Sequence, residues 1–253
     1  MNYQMLMDTA IRVGEIMLSH GAEAHRVEDT VCRMLKIANL KTTEVFVIMT
    51  GMFATLSDPS METITVTKRV RNKGNNLKQI CYANEISRKF CAGEITLERA
   101  HEMAMKGYAW EYAHLTAILG NMLVITFFPP LVGGDLRDCF VAFLSSLLVG
   151  GGIYLSDKMH THPFLKDLVN SFLAGVAVLV LNWLLPFEFH QDAIIIACIM
   201  PLVPGVAITN AVRDTLNGDY VSGAARAVEA FIKALSIALG VGISLILLGG
   251  VLA

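Results

Sequence analysis

The sequence predicts an α-helical integral membrane protein in which five transmembrane helices follow a small α+β cytoplasmic domain. Only 17% of its 253 residues are charged, against about 25% in an average soluble domain, and the mean hydropathy is +0.54. Five stretches of 18 to 23 residues contain no Asp, Glu, Lys or Arg, namely 112–134, 139–156, 168–187, 193–212 and 234–253. A helix needs about 20 apolar residues to cross a bilayer. The pattern therefore excludes a soluble one-domain enzyme, and a net charge of −2 gives no reason to expect a nucleic-acid partner.

Charged residues divide the chain into two predicted domains. Residues 1–111 hold 14 of the 20 Lys and Arg and 13 of the 22 Asp and Glu. We therefore predict a cytoplasmic α+β domain over residues 1–110 and a five-span transmembrane domain over residues 111–253. The spans are expected at about 112–131, 139–156, 168–187, 193–212 and 234–252.

The cytoplasmic domain is predicted to contain two helices, a β-hairpin and two further helices, in that order. Helical spacing of apolar residues covers 3–19 and 23–39. Residues rich in β-branched side chains then indicate one strand over 43–57 and another over 61–70, joined by a turn at Asp58-Pro59-Ser60. Two more helices are expected over 76–91 and 96–108.

The distribution of basic residues predicts the orientation in the membrane. Charges at Asp8, Arg12 and Glu15 interrupt the first 20 residues, which therefore do not resemble a signal peptide. With the amino terminus in the cytoplasm, the loops expected over 157–167 and 213–233 are also inside. Nineteen basic residues then lie inside and only Arg137 outside, as the positive-inside rule requires. The carboxyl terminus is expected outside.

The fourth predicted span is interrupted by Pro201, Pro204 and Gly205, and proline within a helix removes a backbone hydrogen bond. Broken membrane helices often line transporter substrate sites. A polar run follows, and it includes Asn210, Arg213, Asp214, Asp219 and Arg226. Two interpretations stay open with equal weight: a cytoplasmic loop below a proline kink, or a substrate pathway. Contacts between subunits are a third.

Two other polar clusters are candidates for function. Asp135, in a Gly-Gly-Asp turn on the opposite side, is either a residue of the pathway exit or part of a solvated loop. In the cytoplasmic domain, His25, Glu28 and Asp29 share a helix face. That cluster is read first as surface and capping interactions, then as a regulatory ligand site, and last as a hydrolytic site. No metal or cofactor motif is present in the sequence, so we predict neither.

Two motifs resemble a known family. His20-Gly21-Ala22-Glu23 followed by Arg26-Val27-Glu28-Asp29 resembles the amino-terminal signature of the threonine/serine exporter (ThrE-type) family, which makes Gly21, Arg26 and Glu28 its cytoplasmic motif residues. The later stretch resembles that family's membrane motif, and its members here are Pro204-Gly205, Thr209-Asn210, Arg213-Asp214, Gly218-Asp219, Ser222-Gly223, Arg226 and Glu229. The likeness covers nearly the whole chain. Fused members have about ten spans, so this chain resembles the longer subunit of the split form, whose partner is a smaller membrane protein of about four spans.

The resemblance implies a secondary transporter in a bacterial-type inner membrane. Such a protein would export threonine and serine, or dicarboxylates such as succinate. It would assemble with the second subunit, with further copies of itself, or with both. Two alternatives from other classes stay open: a membrane-tethered enzyme with residues 20–29 as its site, and a sensor acting through the cytoplasmic domain.

Overall fold

In the computed structural model, residues 1–71, 74–107, 114–159 and 161–252 are described, and within them the chain forms ten α-helices and three strands. In chain order these are α1 (Tyr3–Ser19), α2 (Ala24–Lys36), β1 (Thr42–Ile48), β2 (Gly51–Asp58), β3 (Met61–Arg69), α3 (Leu77–Cys91), α4 (Leu97–Lys106), α5 (His114–Phe127), α6 (Leu136–Lys158), α7 (Pro163–Leu184), α8 (Gln191–Ile199), α9 (Gly205–Leu216) and α10 (Tyr220–Leu252). Short 3-10 helices occupy Pro129–Val132 and Met200–Leu202.

The chain forms two compact units. One contains residues 1–111 together with 205–228, and the other contains residues 112–204 and 229–253. Helix α9 and the first turns of α10 therefore belong to the same unit as the amino-terminal elements. The predicted division into domains at residues 110 and 111 stays a prediction, because that boundary lies outside the described residues.

The first unit has its own apolar core, to which α1, α2 and one face of the sheet contribute. Helix α1 begins at Asn2, whose side chain accepts a hydrogen bond from the Met5 amide, the usual way to satisfy a free amide at a helix start. Alternation along β2 buries Met52, Ala54 and Leu56, because successive side chains of a strand point to opposite faces. The largest buried side chains of this core include Leu6, Met7, Met17, Met34, Leu35, Met52, Leu56 and Ile86.

The sheet corrects the predicted hairpin. Within the described residues it has three antiparallel strands in the order β1-β2-β3, because residues 43–57 form two strands rather than one. The chain reverses at Met49 and Thr50, and Met49 is buried. Since this turn continues the apolar character of its strands, the composition of the segment did not reveal it. Gly51 follows the turn, where a Cβ atom would lie 2.7 Å from the carbonyl oxygen of Lys68.

The described residues contain three helices that are long and apolar enough to cross a membrane: Leu136–Lys158, Pro163–Leu184 and Tyr220–Gly249. The number rises to four if Gln191–Leu202 and Gly205–Leu216, which are interrupted at residues 203–204, form one span. The break coincides with the predicted one at Pro204-Gly205. Helix α5 has 14 residues and a length of about 21 Å at 1.5 Å per residue, which is shorter than the roughly 30 Å hydrocarbon core. Residues 112 and 113, where the first predicted span begins, lie outside the described residues.

The prediction of a loop over residues 213–233 is wrong. Helix α9 continues to Leu216 and α10 begins at Tyr220, so residues 217–219 form the whole connection. The charges of Arg226, Glu229 and Lys233 lie in a helix of 33 residues. The predicted span was defined by the absence of charged residues and therefore began at residue 234. Helix α10 begins 14 residues earlier, at Tyr220.

Candidate functional site

The residues predicted from the two motifs meet at the loop between α1 and α2. This loop comprises His20, Gly21, Ala22 and Glu23, and it faces α9 and the first turns of α10 within the same unit. Two of its carbonyls, the Glu23 side chain and the Ala24 amide that follows it are bonded to side chains about 190 to 204 positions later in the sequence. We call this arrangement the loop–helix cluster, and its side chains are those of Asn210, Arg213, Asp214 and Arg226.

Gly21 gives the loop its conformation. Its φ angle is +93°, a region that side chains disfavour, and a Cβ atom there would lie 2.6 Å from the Asn75 Oδ1 atom. The neighbouring segment holds the loop by two main-chain bonds, from the Gly74 amide to the Ser19 carbonyl at 2.8 Å and from the Asn76 amide to the His20 carbonyl at 3.2 Å. Glycine is therefore required at position 21 for two reasons: the backbone has a positive φ angle, and there is no room for a side chain.

Asp214 caps the first turn of α2 from α9. Glu23 precedes α2, but its side chain makes no capping hydrogen bond in the part of the chain that is described. The Ala24 amide instead donates to the Asp214 Oδ1 atom at 3.1 Å. A carboxylate at this position also interacts favourably with the positive end of the helix dipole. Asp214 is fully buried, so this contact is shielded from water.

Arg226 is the charge partner of Asp214. Its Nε atom lies 2.8 Å from the Asp214 Oδ2 atom, in an orientation that does not form a hydrogen bond between these two described atoms. Its Nη2 group donates to the Ala22 carbonyl at 2.7 Å, and the side chain is 7% exposed. Removing one member of such a buried pair leaves an uncompensated charge, which typically costs about 3–5 kcal/mol.

Two further side chains of α9 bind the same loop. Asn210 donates through Nδ2 to the Gly21 carbonyl at 2.8 Å, and it lies four residues before Asp214, so both side chains face the loop. Arg213 Nη1 lies 2.6 Å from Glu23 Oε1. The Arg213 side chain is 64% exposed, and exposed ion pairs of this kind contribute about 0–1 kcal/mol. Asn210, Asp214 and Arg226 therefore carry most of the polar stabilisation of the cluster.

The close approach of α9 and α10 brings Arg226 to Asp214. A Cβ atom on Gly223 would lie 2.2 Å from Thr215 Oγ1 and 3.1 Å from the Ala211 carbonyl oxygen. The connection is short and bonded, since the Asp219 amide donates to the Asp214 carbonyl at 2.8 Å. Asp219 itself is half-buried in this connection, and its carboxylate is not part of the loop–helix cluster as described.

The other predicted pathway residues lie outside the cluster. Pro204 is buried and Gly205 is exposed at the start of α9. Asp135 belongs to the second unit, where its Oδ1 atom accepts from the amides of Arg137 and Asp138 and so caps α6. The Asp138 side chain completes this capping box and also binds His190. Asp135 is therefore the N-cap residue of α6.

The cytoplasmic motif residues have separate surroundings. Glu28 Oε2 accepts from the Val47 amide at 3.2 Å and so satisfies a donor on the edge strand β1, while the Arg26 side chain is exposed. Asp29 pairs with Arg33 on the surface of α2. Among the described residues, no group of three or more His, Cys, Asp or Glu side chains could hold a metal ion.

The sequence analysis did not anticipate the main-chain partners of the cluster. The carbonyls of Gly21 and Ala22 and the amide of Ala24 receive the polar side chains, and Glu23 was not singled out as a site residue. One signal was available, because Glu23 is a weaker helix cap than Ser, Thr, Asp or Asn. The first amide of α2 therefore needed an acceptor from elsewhere in the chain.

Comparisons with a family model and with individual proteins agree on one family. The ThrE family model, described as a threonine/serine exporter, matches residues 8–248. A protein of Mycobacterium tuberculosis named "Probable threonine/serine exporter" is 22% identical over 95% of this chain and 46% of its own length. "Threonine/serine exporter" of Corynebacterium glutamicum is 22% identical over 95% of this chain and 50% of its own length.

A shorter relative matches this chain along most of its length. "Probable succinate transporter subunit YjjP" of Escherichia coli is 22% identical, and the match covers 94% of this chain and 93% of the relative. The chain therefore spans about half the length of the two exporters but nearly the whole of the protein named as a subunit. No solved structure matches the chain.

Proposed function

The chain belongs to the threonine/serine exporter (ThrE) family, and on this basis we propose that it is a subunit of a secondary transporter that exports small polar metabolites across the cell membrane. The candidate substrates are the amino acids threonine and serine and dicarboxylates such as succinate, because relatives carry both kinds of name. The family and the names of these relatives support transport over the two alternatives, a membrane-tethered enzyme with residues 20–29 as its site and a sensor that acts through the cytoplasmic domain.

The observation that carries the proposal is the buried pair of Asp214 and Arg226 at the end of a broken apolar helix. Substrate sites of transporters are commonly built where a membrane helix is interrupted. The pair offers one negative and one positive group side by side, and threonine and serine carry the same two charges in their ammonium and carboxylate groups. A dicarboxylate would use Arg226, with Arg213 as a second cation.

We assign the described arrangement to a closed inner end of the substrate pathway. Asp214 Oδ1 accepts a hydrogen bond from the Ala24 amide, and Arg226 Nη2 donates one to the Ala22 carbonyl, while the two side chains form an ion pair. A solute can take these side chains as partners only after their bonds to residues 22–24 break. Export would therefore require the loop between α1 and α2 to separate from α9 and α10. The break at Pro204 and Gly205 lies at the opposite end of α9 from Asp214.

We further propose five spans, with the amino terminus in the cytoplasm, the carboxyl terminus outside and Asp135 on the outer side. The excess of basic residues in the segments assigned to the inside supports this orientation. A separate, smaller membrane subunit of about four spans would complete the transporter, and the word "subunit" in the name of the Escherichia coli relative supports that expectation.

The test is efflux of labelled threonine, serine and succinate from preloaded vesicles, with this chain alone and with its small partner. We expect selective efflux of one substrate class when both chains are present. The variants N210A, D214A, R226A and D214N should lower the initial rate by about tenfold or more, because a tenfold change requires only about 1.4 kcal/mol.

The matched control is T209A. Thr209 neighbours Asn210 but is exposed, and its hydroxyl bonds only within α9 as described, to the carbonyls of Gly205 and Val206. It should transport at the unmodified rate. Rates are divided by the amount of folded chain in the membrane. Undiminished efflux in the alanine variants would reject the assignment of these residues, and no efflux of any of the three solutes with both chains present would reject the proposed function.

A further inference from the structure

A cavity in the first unit, lined in part by charged side chains, has no role in the mechanism above. It has a volume of about 620 Å³ and lies beside the carboxyl-terminal end of α1, where the chain leaves β3. Small-molecule sites typically measure about 300–1,000 Å³, so its size suits a metabolite. Its lining residues are Arg12, Glu15, Ile16, Ser19, His20, Arg69, Val70, Arg71 and Gly74.

The charges around this cavity are predominantly positive. Glu15, the one carboxylate among the described lining residues, already has two cationic partners, with Oε2 2.8 Å from Arg12 Nη1 and Oε1 3.1 Å from Lys68 Nζ. Partial burial acts to raise the pKa of Glu15, but the hydrogen bonds from Arg12 and Lys68 outweigh it, and the pKa lies below its ordinary value. Glu15 is therefore ionised at neutral pH and fully compensated.

Arg69 and Arg71 are the uncompensated cations. Within the described residues neither has an ion-pair partner, and both side chains are exposed. Val70 between them is buried, and its amide donates to the Thr50 carbonyl at 2.9 Å. In an extended chain, residues two positions apart project to the same side. Arg69 and Arg71 both line the cavity, on either side of a residue whose amide is bonded to the neighbouring turn.

We propose that this cavity binds a small, multiply charged anion that carries phosphate groups or paired carboxylates. Guanidinium groups form paired hydrogen bonds with both kinds of anion and keep their charge at all physiological pH values. Arg69 and Arg71 provide positive charge that no ion pair of the described residues uses, and Arg12 also lines the cavity. This site is separate from Asp214 and Arg226 and goes beyond the proposed transport function.

The position of the cavity gives the anion a regulatory role. Ser19 and His20 line it, and they lead directly into the loop whose Gly21 and Ala22 carbonyls bind Asn210 and Arg226. Gly74, also in the lining, donates to the Ser19 carbonyl. An anion bound here contacts the segments that position this loop, and it therefore favours one state of the loop–helix cluster.

The experiment is calorimetric titration of the full chain in nanodiscs of uncharged lipid. The probes are inorganic pyrophosphate, adenosine monophosphate and succinate, so that binding of phosphate and carboxylate anions is distinguished. We expect saturable binding of at least one probe. The R69Q/R71Q variant should weaken it by about tenfold or more, because two charge-assisted contacts are lost. R69K/R71K should bind with intermediate affinity, since the charge remains without the paired donors.

The matched control is K36Q/R88Q, which removes the same charge from exposed positions on α2 and α3 that do not line the cavity. It should bind each probe as the unmodified chain does. Unchanged affinity in R69Q/R71Q, an equal loss in K36Q/R88Q, or no saturable binding of any probe would overturn the proposal. Because Arg69 and Arg71 are exposed, the melting temperature of R69Q/R71Q should stay unchanged.

Discussion

Asp214 and Arg226 each make two kinds of contact at once. One oxygen of Asp214 accepts from the Ala24 amide and the other lies beside Arg226, while Arg226 also donates to the Ala22 carbonyl. Each side chain therefore connects the loop to a helix and neutralises the other. Removing one member of such a buried pair is costly because the other charge stays buried without a partner. We therefore expect the contact either to be fully formed or to be exchanged as a whole for other partners.

At the residue scale, Gly14 of α1 should not accept a larger side chain. A Cβ atom there would lie 2.7 Å from Val31 Cγ2 and 3.0 Å from Met52 Sδ, and overpacking of this kind costs about 1–3 kcal/mol. We expect G14V to lower the melting temperature of the detergent-solubilised chain. The control is G151V, because a Cβ atom there would meet no described atom within 4 Å apart from its chain neighbours and the backbone of its own helix. Equal losses in the two variants would show that helix propensity alone accounts for the change.

His190 should make stability depend on pH. Its ring Nδ1 lies 2.9 Å from Asp138 Oδ2, and the side-chain hydrogen bond with this carboxylate raises the pKa of His190 above its ordinary value. The protonated form is therefore favoured in the fold. Its stabilisation is complete below the unfolded-state pKa of about 6.5 and is lost as pH rises through the higher folded-state pKa.

The measurement is the melting temperature of H190Q and of the unmodified chain, from below the unfolded-state pKa of about 6.5 to above the folded-state pKa. The difference between them should be largest at the acid end and should shrink as pH rises. H25Q, which removes an exposed histidine on α2, should keep the pH dependence of the unmodified chain. If H190Q melts with an unaltered pH dependence, the Asp138 contact does not contribute as described.

At the element scale, the site depends on how closely α9 and α10 cross. The connection of three residues and the absence of a side chain at Gly223 hold the two helices together. Asn210 and Asp214 on one helix and Arg226 on the other then reach the same loop. Small residues at crossings are a common means of close helix packing in membrane proteins.

The variant G223A tests this crossing. Its new methyl group would lie 2.2 Å from Thr215 Oγ1, so we expect a lower melting temperature and slower efflux. T215A alone should have little effect on either property. The double variant G223A/T215A should recover part of the loss, because the hydroxyl that clashes is gone while the Ala211 carbonyl remains 3.1 Å away. Additive effects without any recovery would contradict the crossing as described.

Local patterns predicted the elements better than the site. The break at Pro204 and Gly205 was predictable because both residues disfavour a continuous helix through their own geometry. The start of α10 was missed because Arg226 and Lys233 fail a test for absence of charge, although they are compatible with a helix. The bond between Ala24 and Asp214 spans 190 positions, and nothing local to either residue specifies its partner.

At the scale of the whole molecule, the number of spans determines on which side the chain ends. Five crossings place the two termini on opposite sides of the membrane, and four place them on the same side. Helix α5 is short and the pair α8 and α9 is interrupted, so these two segments decide the count. The basic residues favour the five-span arrangement.

A reporter fused to the carboxyl terminus distinguishes these arrangements. With five spans, alkaline phosphatase at that end should be active and green fluorescent protein should be dark, because the first needs the oxidising side and the second the cytoplasm. Fusions at Asn217, in the connection between α9 and α10, provide the comparison and should give the reverse result. Identical signals at the two positions would contradict a crossing by α10.

The cap that Asp214 provides for α2 has a consequence for the order of assembly. Ala24 leaves the ribosome 190 residues before its partner, and at about 5–20 residues per second the interval is on the order of ten to forty seconds. During this time the amino-terminal core can form, but the loop that follows α1 has none of its acceptors and donors from α9 and α10. Assembly is therefore ordered: the loop between α1 and α2 lacks these bonds until α9 and α10 have been synthesised.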